Sequence, residues 1–294
     1  MLNSPAHLPP VVDALAPLAP RYDLFLCDVR GVVHDGVAAF PAANEALTRA
    51  RAAGVTVIMI SNAPRPGAVV KKQIGRYGVP ESAYDDVVAS GDVTREELAA
   101  RPGARVFHLG AERDLPNYEG LGVTLVDLDH ADLVVCTGPF HDETETPDDY
   151  REMMARIKAR DLLLICANPD IVVERGDRLI WCAGALAAIY DELGGKTIYA
   201  GKPYAPIYKT CFARAARLRG REVPRSRVLA IGDGMKTDLL GAARQKIDCL
   251  FITRGIHAAD FGIDDKGGMD RDKLARAFAE AGAAPVAIMR ELIW

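Results

Sequence analysis

The feature that most constrains the fold is the alternation of short apolar runs with segments of helical periodicity. Near the start of the chain, apolar runs at Leu24–Asp28 and Val55–Ile60 flank a predicted helix over Pro41–Ala53. Apolar runs of this length are typical of strands that are buried on both faces, and strands that alternate with helices form parallel sheets. The sequence therefore predicts an α/β fold built on a parallel sheet.

The same alternation returns in the final third, with strands predicted at Val228–Ile231 and Cys249–Ile252. Between the two parts, residues 90–193 carry strands and helices of their own. An insert of this size is large enough to be a domain. We therefore predict a core domain made of residues 1–89 and 194–294, with an inserted α/β domain at residues 90–193.

Composition excludes several classes of protein. A net charge of -4 without clustered basic residues argues against nucleic-acid binding, and no window approaches the roughly 18 apolar residues of a membrane span. The six cysteines form no C-x-x-C pair, which argues against a zinc or redox site. The N-terminus lacks the pattern of a secretory signal, so we expect a cytoplasmic protein with reduced thiols.

Polar residues that can bind a metal ion or a phosphate follow the predicted strands. Ligands of such folds bind beyond the carboxyl ends of the strands, so these side chains are expected to converge on one edge. A further strand is predicted around Thr197–Ala200, and a lysine follows it two residues later. The residues concerned are Asp28, Ser61, Asn62, Lys202, Asp233 and Asp238.

This set of side chains suits phosphoryl transfer. A carboxylate can form a covalent aspartyl-phosphate, which splits one difficult displacement into two easier ones. Two acids with a backbone carbonyl suit Mg²⁺, which prefers hard oxygen ligands. An ammonium group can balance the remaining charge, while hydroxyl and amide groups donate hydrogen bonds to phosphate oxygens. We expect a magnesium-dependent enzyme with a small phosphorylated substrate.

The four motifs, in this order, resemble those of the haloacid dehalogenase (HAD) superfamily of hydrolases. The insert between the second and third motifs resembles a type 2 cap. The segments Asn168-Pro169-Asp170 and Gly201-Lys202-Pro203 are similar to those of the NagD-like phosphatases of subclass IIA. The resemblance implies a Rossmannoid core with a cap that closes over the substrate, and caps of this type often form homodimer contacts.

The resemblance also implies residue roles. Asp28 matches the nucleophile and first metal ligand, and the backbone carbonyl of Arg30 with Asp233 completes the metal site. Asp238 matches the second acid of the fourth motif, which orients metal-bound water.

For the substrate, the resemblance implies three further residues. Ser61 and Asn62 match the phosphate-binding second motif, and Lys202 matches the catalytic lysine of the third.

Arg30 departs from the family pattern, in which this position holds the Asp that acts as general acid. An arginine stays protonated, so it cannot accept a proton from water. Losing a general acid typically costs about 10²- to 10⁴-fold in rate, whereas an arginine can also stabilise transition-state charge. The sequence leaves open which effect dominates, and whether His34 or Asp35 replaces the acid. We expect hydrolysis to survive best on good leaving groups.

Three functions remain open at this stage. The first is a phosphatase for a sugar phosphate or nucleoside monophosphate. The second is a catalytically weakened protein that binds a phosphorylated ligand as a sensor or regulator, which Arg30 favours. The third, attack on carbon, ranks last because the acidic fourth motif is complete.

Several polar residues outside the motifs receive structural assignments. The acidic loop His141–Glu145 is predicted to be solvated, and Asn168 and Asp170 are predicted to direct the chain back toward the core. His257 is expected to be structural or exposed, and Phe261–Asp272 an irregular surface loop.

Overall fold

The computed structural model of the protein describes residues 8–175, 178–256, 258, 260–263 and 268–294. The strands are β1 (Leu24–Asp28), β2 (Thr56–Ser61), β3 (Asp86–Ala89), β4 (Arg105–Leu109), β5 (Thr124–Leu125), β6 (Leu133–Cys136), β7 (Leu163–Cys166), β8 (Val172–Arg175), β9 (Arg178–Trp181), β10 (Lys196–Tyr199), β11 (Val228–Gly232), β12 (Asp248–Ile252) and β13 (Ala287–Met289). The helices are α1 (Pro41–Ala52), α2 (Gly67–Arg76), α3 (Ser90–Ala99), α4 (Arg151–Ala159), α5 (Ala183–Glu192), α6 (Ala205–Arg219), α7 (Leu240–Gln245) and α8 (Arg271–Ala281). One π-helical turn, Met235–Leu239, precedes α7.

The chain forms two compact units. The first contains the described residues of Met1–Ser61, Lys71–Val87 and Tyr208–Trp294, and the second contains Asn62–Val70 and Val88–Ile207. Each unit has a sheet of its own.

The first unit is built on a six-stranded sheet in the order β13-β12-β11-β1-β2-β3. β1 pairs in parallel with β11 on one side and with β2 on the other, so that Cys27 lies opposite both Ile231 and Met59. Four of the five residues of β1 and all five of β11 are buried. This arrangement confirms the predicted parallel α/β fold and brings the carboxyl ends of β1 and β11 next to each other.

The second unit is built on a five-stranded parallel sheet in the order β10-β7-β6-β4-β5, with an antiparallel hairpin of β8 and β9. The strand predicted around Thr197–Ala200 was grouped with the core by sequence analysis, and this grouping was wrong. It corresponds to β10, which pairs with β7 in the second sheet. The apolar pattern of a strand shows that it is buried but does not identify its neighbour, so the sequence left the pairing undetermined.

Buried thiols occur in both units. Cys27, Cys211 and Cys249 belong to the first, and Cys136, Cys166 and Cys182 belong to the second. All six side chains are buried thiols, consistent with cysteine acting as a small core residue.

Two predictions concern residues near the C-terminal end of the chain. His257 lies outside the described residues. Of the predicted loop Phe261–Asp272, residues 264–267 also lie outside them, whereas Phe261 is buried and α8 begins at Arg271. Among the described residues, none of the helices combines the length and the apolar character needed to cross a bilayer.

Candidate active site

Three carboxylates meet at the carboxyl end of the first sheet. Asp28 is the last residue of β1, Asp233 directly follows β11, and Asp238 lies in the π-helical turn that comes next. One carboxylate oxygen from each lies within 4.8 Å of the others. Asp233 and Asp238 are almost completely buried. We call these three residues the acid cluster.

Two glycines make room for the carboxylate of Asp233. Its Oδ2 accepts a hydrogen bond from the backbone N–H of Ile256 at 2.8 Å. A Cβ at Gly31 would lie 2.2 Å from this oxygen, and a Cβ at Gly255 would lie 1.9 Å from it. Gly31 also has a φ of 86°, which L side chains rarely adopt. Neither glycine can therefore gain a side chain without displacing Asp233.

Asp238 is held in the same manner. Its Oδ2 accepts the backbone N–H of Gly234 at 3.1 Å and the hydroxyl of Thr237 at 3.3 Å. A Cβ at Gly232 would lie 2.2 Å from its Cγ. The first unit thus fixes both acids of the fourth motif against glycine backbone.

The acid cluster fits a hard divalent cation. Carboxylates this close disfavour one another's ionised form, and burial adds a desolvation cost. Oxygen ligands from two or three acids are what Mg²⁺ and Ca²⁺ prefer in proteins. A cation held by the cluster would relieve the repulsion, so the donor set agrees with the predicted magnesium site.

The side chain of Arg30 lies over the turn that follows it. A Cβ at Gly36 would lie 2.8 Å from Nη1 of Arg30, so the guanidinium packs directly on the Gly36 backbone, whose φ is 98°. The backbone of Arg30 forms a bridge with His34, and the N–H of Gly31 donates to the carbonyl of His34 at 2.8 Å. Arg30 is exposed, and a hydrogen-bonded turn supports its backbone.

His34 and Asp35, the two alternative acids, both serve this turn. The buried His34 accepts the N–H of Gly36 on Nδ1 at 2.8 Å, and burial, together with the charge of Arg30, lowers its pKa to about 4. Asp35 Oδ1 accepts the N–H groups of Val37 and Ala38, which lowers the pKa of Asp35. These contacts favour a structural role for both residues.

The second unit holds another group of motif residues. Lys202 is 3% exposed, and its backbone forms two hydrogen bonds with the side-chain amide of Asn62. The backbone N–H of Lys202 donates to Asn62 Oδ1 at 2.7 Å, and Asn62 Nδ2 donates to the Lys202 carbonyl at 3.1 Å. Asn62 Nδ2 also donates to Asp170 Oδ1 at 2.8 Å. The amide of Asn62 thus holds the Lys202 backbone, and Asp170 orients the amide.

The structure therefore sorts the predicted site residues into two groups. Asp28, Asp233 and Asp238 come together in the first unit, which also contains Arg30 and Ser61, the last residue of β2. Asn62 and Lys202 come together in the second unit.

Sequence analysis missed three supporting residues. Gly255 and Ile256 follow β12, the strand beside β11, and the rule that points to strand ends applies to them as well. For Asp170, sequence analysis predicted only a role in directing the chain back toward the core. Its contact with Asn62 spans 108 residues, so no local pattern could reveal it.

The prediction of a solvated loop at His141–Glu145 was wrong for Asp142. Its side chain is 8% exposed and binds both Arg113 and Arg175. An acidic residue in a loop is solvated by default, but two arginines from other loops make burial favourable here.

Comparison with known proteins places the chain in a family. Models described as haloacid dehalogenase-like hydrolase and HAD-hydrolase-like match residues 25–124 and 199–276. A haloacid dehalogenase-like hydrolase from Brucella suis 1330, known from its crystal structure, is 50% identical, with a TM-score of 0.84 over 96% of this chain and 100% of that chain.

Two further relatives are more distant. The ribonucleotide monophosphatase NagD of Escherichia coli is 25% identical over 242 residues, which are 80% of this chain and 89% of NagD. A glycerol phosphate phosphatase from Mycobacterium tuberculosis, solved in complex with magnesium, shares the fold at 24% identity and a TM-score of 0.62, over 87% of this chain and 77% of that one. The chain belongs to the haloacid dehalogenase-like hydrolases, in the NagD-like subclass IIA that its motifs predicted.

Proposed function

We propose that the protein is a Mg²⁺-dependent phosphatase that acts on a small phosphorylated metabolite, of the sugar phosphate or nucleoside monophosphate type. The observation that carries this proposal is the acid cluster, whose three carboxylates lie within 4.8 Å of one another. The names of the relatives, among them a ribonucleotide monophosphatase, support the substrate class.

Four residues would hold the cation. Asp28 and Asp233 would supply carboxylate oxygens, Arg30 its backbone carbonyl, and Asp238 the second acid of the fourth motif. When bound, Mg²⁺ would screen the nucleophile from the negative charge of the substrate. The glycines beside Asp233 and Asp238 support this assignment because they let the backbone approach the carboxylates closely.

Asp28 would be the nucleophile. One of its carboxylate oxygens forms a bond to phosphorus while the ester bond breaks, and the leaving oxygen departs with the bonding electron pair. Water then attacks the phosphorus of the aspartyl-phosphate, which releases inorganic phosphate and restores the carboxylate. Ser61 would donate a hydrogen bond to the transferring group, and Lys202 would balance its charge.

Asn62 would contribute to substrate binding in part by holding the loop that carries Lys202. Its side-chain N–H groups are directed at Asp170 and at the Lys202 carbonyl, so we assign the amide a positioning role for Lys202. The inserted domain predicted at residues 90–193 would act as the cap. A cytoplasmic location and a homodimer stay predictions.

Arg30 sets the limits of the proposed reaction. Its guanidinium cannot take up a proton from water, and His34, with its pKa lowered to about 4, is neutral at pH 7. The leaving oxygen would therefore depart without a strong acid nearby. This favours esters whose leaving groups are stable as anions.

The test is the release of p-nitrophenol from p-nitrophenyl phosphate in the presence and absence of Mg²⁺. We expect metal-dependent turnover that falls on the order of 10⁴-fold or more in Asp28→Asn, because the nucleophile is lost. Asp129→Asn, which removes an exposed acid paired with Arg156, is the matched control and should keep the wild-type rate. Undiminished turnover in Asp28→Asn would refute the proposal.

A second candidate rests on Arg30 alone. A chain without the general acid of its family would serve as a weakened enzyme that binds a phosphorylated ligand as a sensor or regulator. Tight binding of a phosphate ester without turnover, and without any gain in Arg30→Asp, would favour this candidate.

A further inference from the structure

The segment that carries Lys202 forms a tight turn between β10 and α6. The N–H of Tyr204 donates to the carbonyl of Gly201 at 2.9 Å, which closes the turn. We call residues Gly201–Tyr204 the lysine turn. It lies in the second unit, and so do the side chains that hold it.

Side chains enclose the start of the lysine turn. A Cβ at Gly201 would lie 2.2 Å from Ser90 Oγ and 2.4 Å from Asn62 Oδ1. It would also lie 2.7 Å from Cδ of Pro169. Asn62 makes two hydrogen bonds with the Lys202 backbone as well. The first half of the turn is therefore fixed by packing and by hydrogen bonds.

The strand that leads into the turn gives it less support. β10 is the edge strand of the five-stranded sheet, where it pairs with β7. All four of its residues are exposed or half-buried. Few buried contacts and partly exposed hydrogen bonds are typical of segments that open readily. The end of β10 therefore depends on support from side chains.

A stacked pair of tyrosines supplies this support. Tyr199 is the last residue of β10, and Tyr204 is the last residue of the lysine turn. The centroids of their rings lie 4.2 Å apart, and the angle between the ring planes is 6°. Stacked aromatic pairs contribute beyond the apolar area that they bury. Because the two residues flank Lys202, the pair ties together the two ends of the segment that carries it.

Asp191 on α5 orients the first of the two rings. Its Oδ2 accepts a hydrogen bond from the hydroxyl of Tyr199, and its Oδ1 accepts one from the hydroxyl of Thr197, each at 2.6 Å. Burial and the hydrogen bond to Asp191 raise the pKa of Tyr199, so the phenol stays protonated and donates. Helix α5 is anchored in the core of the second unit by the buried Leu186 and Tyr190. The tyrosine stack is thus connected to a firmly packed helix.

We propose that Tyr199 and Tyr204 are positioning residues, which hold the lysine turn so that the ammonium group of Lys202 keeps one place. The inference rests on the phosphatase function proposed above, in which Lys202 balances the charge of the transferring group. A lysine has a flexible four-carbon stem, so its charge is placed well only if its backbone is fixed. Misplacement of a catalytic group by about 1 Å can cost on the order of 10²-fold in rate.

A purely structural role would require less than the stack provides. The hydrogen bond from the N–H of Tyr204 to Gly201 closes the turn without either ring. Both tyrosines are half-buried and Asp191 is exposed, so these contacts add little to the burial of apolar surface. Their loss should therefore change the position of the turn more than the stability of the protein.

The experiment is a double-mutant cycle between Tyr204 and Lys202. We measure kcat and KM for p-nitrophenyl phosphate with Mg²⁺ in the wild type, Tyr204→Ala, Lys202→Met and the double variant. Independently of turnover, we measure hydrogen exchange in the peptide that contains the lysine turn. Tyr199→Phe removes the hydrogen bond to Asp191 and keeps the ring. Its matched control is Tyr150→Phe, which removes a hydrogen bond from a tyrosine to a carboxylate elsewhere in the second unit.

Tyr204→Ala should lower kcat by roughly tenfold, with a much smaller change in KM, and should make exchange in the lysine turn faster. Tyr204→Phe restores the ring and should recover most of the rate. In Lys202→Met, the change Tyr204→Ala should lower kcat by about twofold at most, because the group that the stack positions is gone. Tyr199→Phe should lower kcat by roughly threefold, whereas Tyr150→Phe should keep the wild-type rate.

An equal fall in kcat for Tyr204→Ala in both backgrounds, or no fall in either, would overturn the positioning role and leave the phosphatase proposal intact. If the wild type releases no p-nitrophenol, the phosphatase proposal fails. In that case, or if Lys202→Met is too slow to measure, hydrogen exchange decides, and unchanged exchange in Tyr204→Ala would overturn the inference. Should Tyr204→Ala not fold, Tyr204→Leu, which keeps an apolar side chain, takes its place in the cycle.

Discussion

The two units place charged side chains at the same position of similar sheets but balance them in opposite ways. In the first unit, three carboxylates lie within 4.8 Å of one another at the ends of β1 and β11. In the second, the buried carboxylate of Asp142, in the loop after β6, is paired with Arg113, which follows β4, and with Arg175 on β8. The first arrangement gains from a cation, whereas in the second the charge of the carboxylate is already neutralised by its partners.

The difference shows that charged side chains at the end of a sheet can either repel one another or balance one another. Carboxyl ends of parallel strands converge on one rim whatever side chains they carry. Removing one acid from the acid cluster relieves repulsion between carboxylates, whereas removing the charge of Asp142 leaves Arg113 and Arg175 to repel each other. The two groups of residues should therefore respond with opposite sign to the same chemical change.

Of three further changes that test this contrast, the one with the largest expected effect is at Arg30, in the same unit as the acid cluster. In Arg30→Asp, kcat for an alkyl ester such as glycerol 2-phosphate should rise by about 10²- to 10⁴-fold, because the new acid can protonate the alkoxide. The gain on p-nitrophenyl phosphate should be much smaller, since nitrophenolate leaves without a proton. Phosphate release measures both rates. Arg30→Gln removes the charge without adding an acid, and a gain there equal to that of Arg30→Asp would contradict the explanation.

A smaller effect is expected from metal binding. At 100 times the dissociation constant, Mg²⁺ should raise the free energy of unfolding by about 2.7 kcal/mol. Asp233→Asn should lose most of this gain and, without metal, should be more stable than the wild type because one like charge is gone. Thermal melts with MgCl₂ against KCl at equal ionic strength measure this. If Mg²⁺ stabilised Asp233→Asn as much as the wild type, the ion would not bind at the acid cluster.

The smallest effect is expected in the second unit. Asp142→Asn should lower the free energy of unfolding at pH 7 by about 1–2 kcal/mol, a value reduced because both arginines are half exposed to solvent. Since the pKa of Asp142 is lowered in the folded protein, its contribution is present above the ordinary pKa of aspartate, about 3.9, and is lost as the pH falls through the lowered value. Urea titrations at pH 7 and pH 3 measure the difference, which should shrink at the lower pH. Equal stability of Asp142→Asn and the wild type at pH 7 would contradict the contrast between Asp142 and the acid cluster.

Much of the fold was predictable because buried parallel strands have unambiguous apolar runs. β1 has the predicted bounds, and those of β2, β11 and β12 differ from the predicted ones by one residue at most at either end. The hairpin of β8 and β9 was not predicted, since its strands are short and Leu179 and Trp181 are exposed. The placement of β10 also escaped prediction, because strand pairing depends on distant residues.

The candidate site was predictable where it follows motif order. Sequence analysis named Asp28, Asp233 and Asp238 together, and their carboxylates lie close to one another. Their catalytic roles stay predictions. Asp142 could not be assigned, because its partners Arg113 and Arg175 lie 29 and 33 residues away along the chain. A loop sequence alone does not show which loops fold against it.

The six buried cysteines have a practical consequence for measuring how each unit opens. Three thiols lie in each unit, and burial raises the pKa of Cys136 to about 12 and also raises those of Cys166 and Cys182. An alkylating reagent attacks thiolates, so modification of these side chains requires local opening of the chain around them. Mass spectrometry of the labelled peptides would time the opening of each unit separately, without any introduced probe.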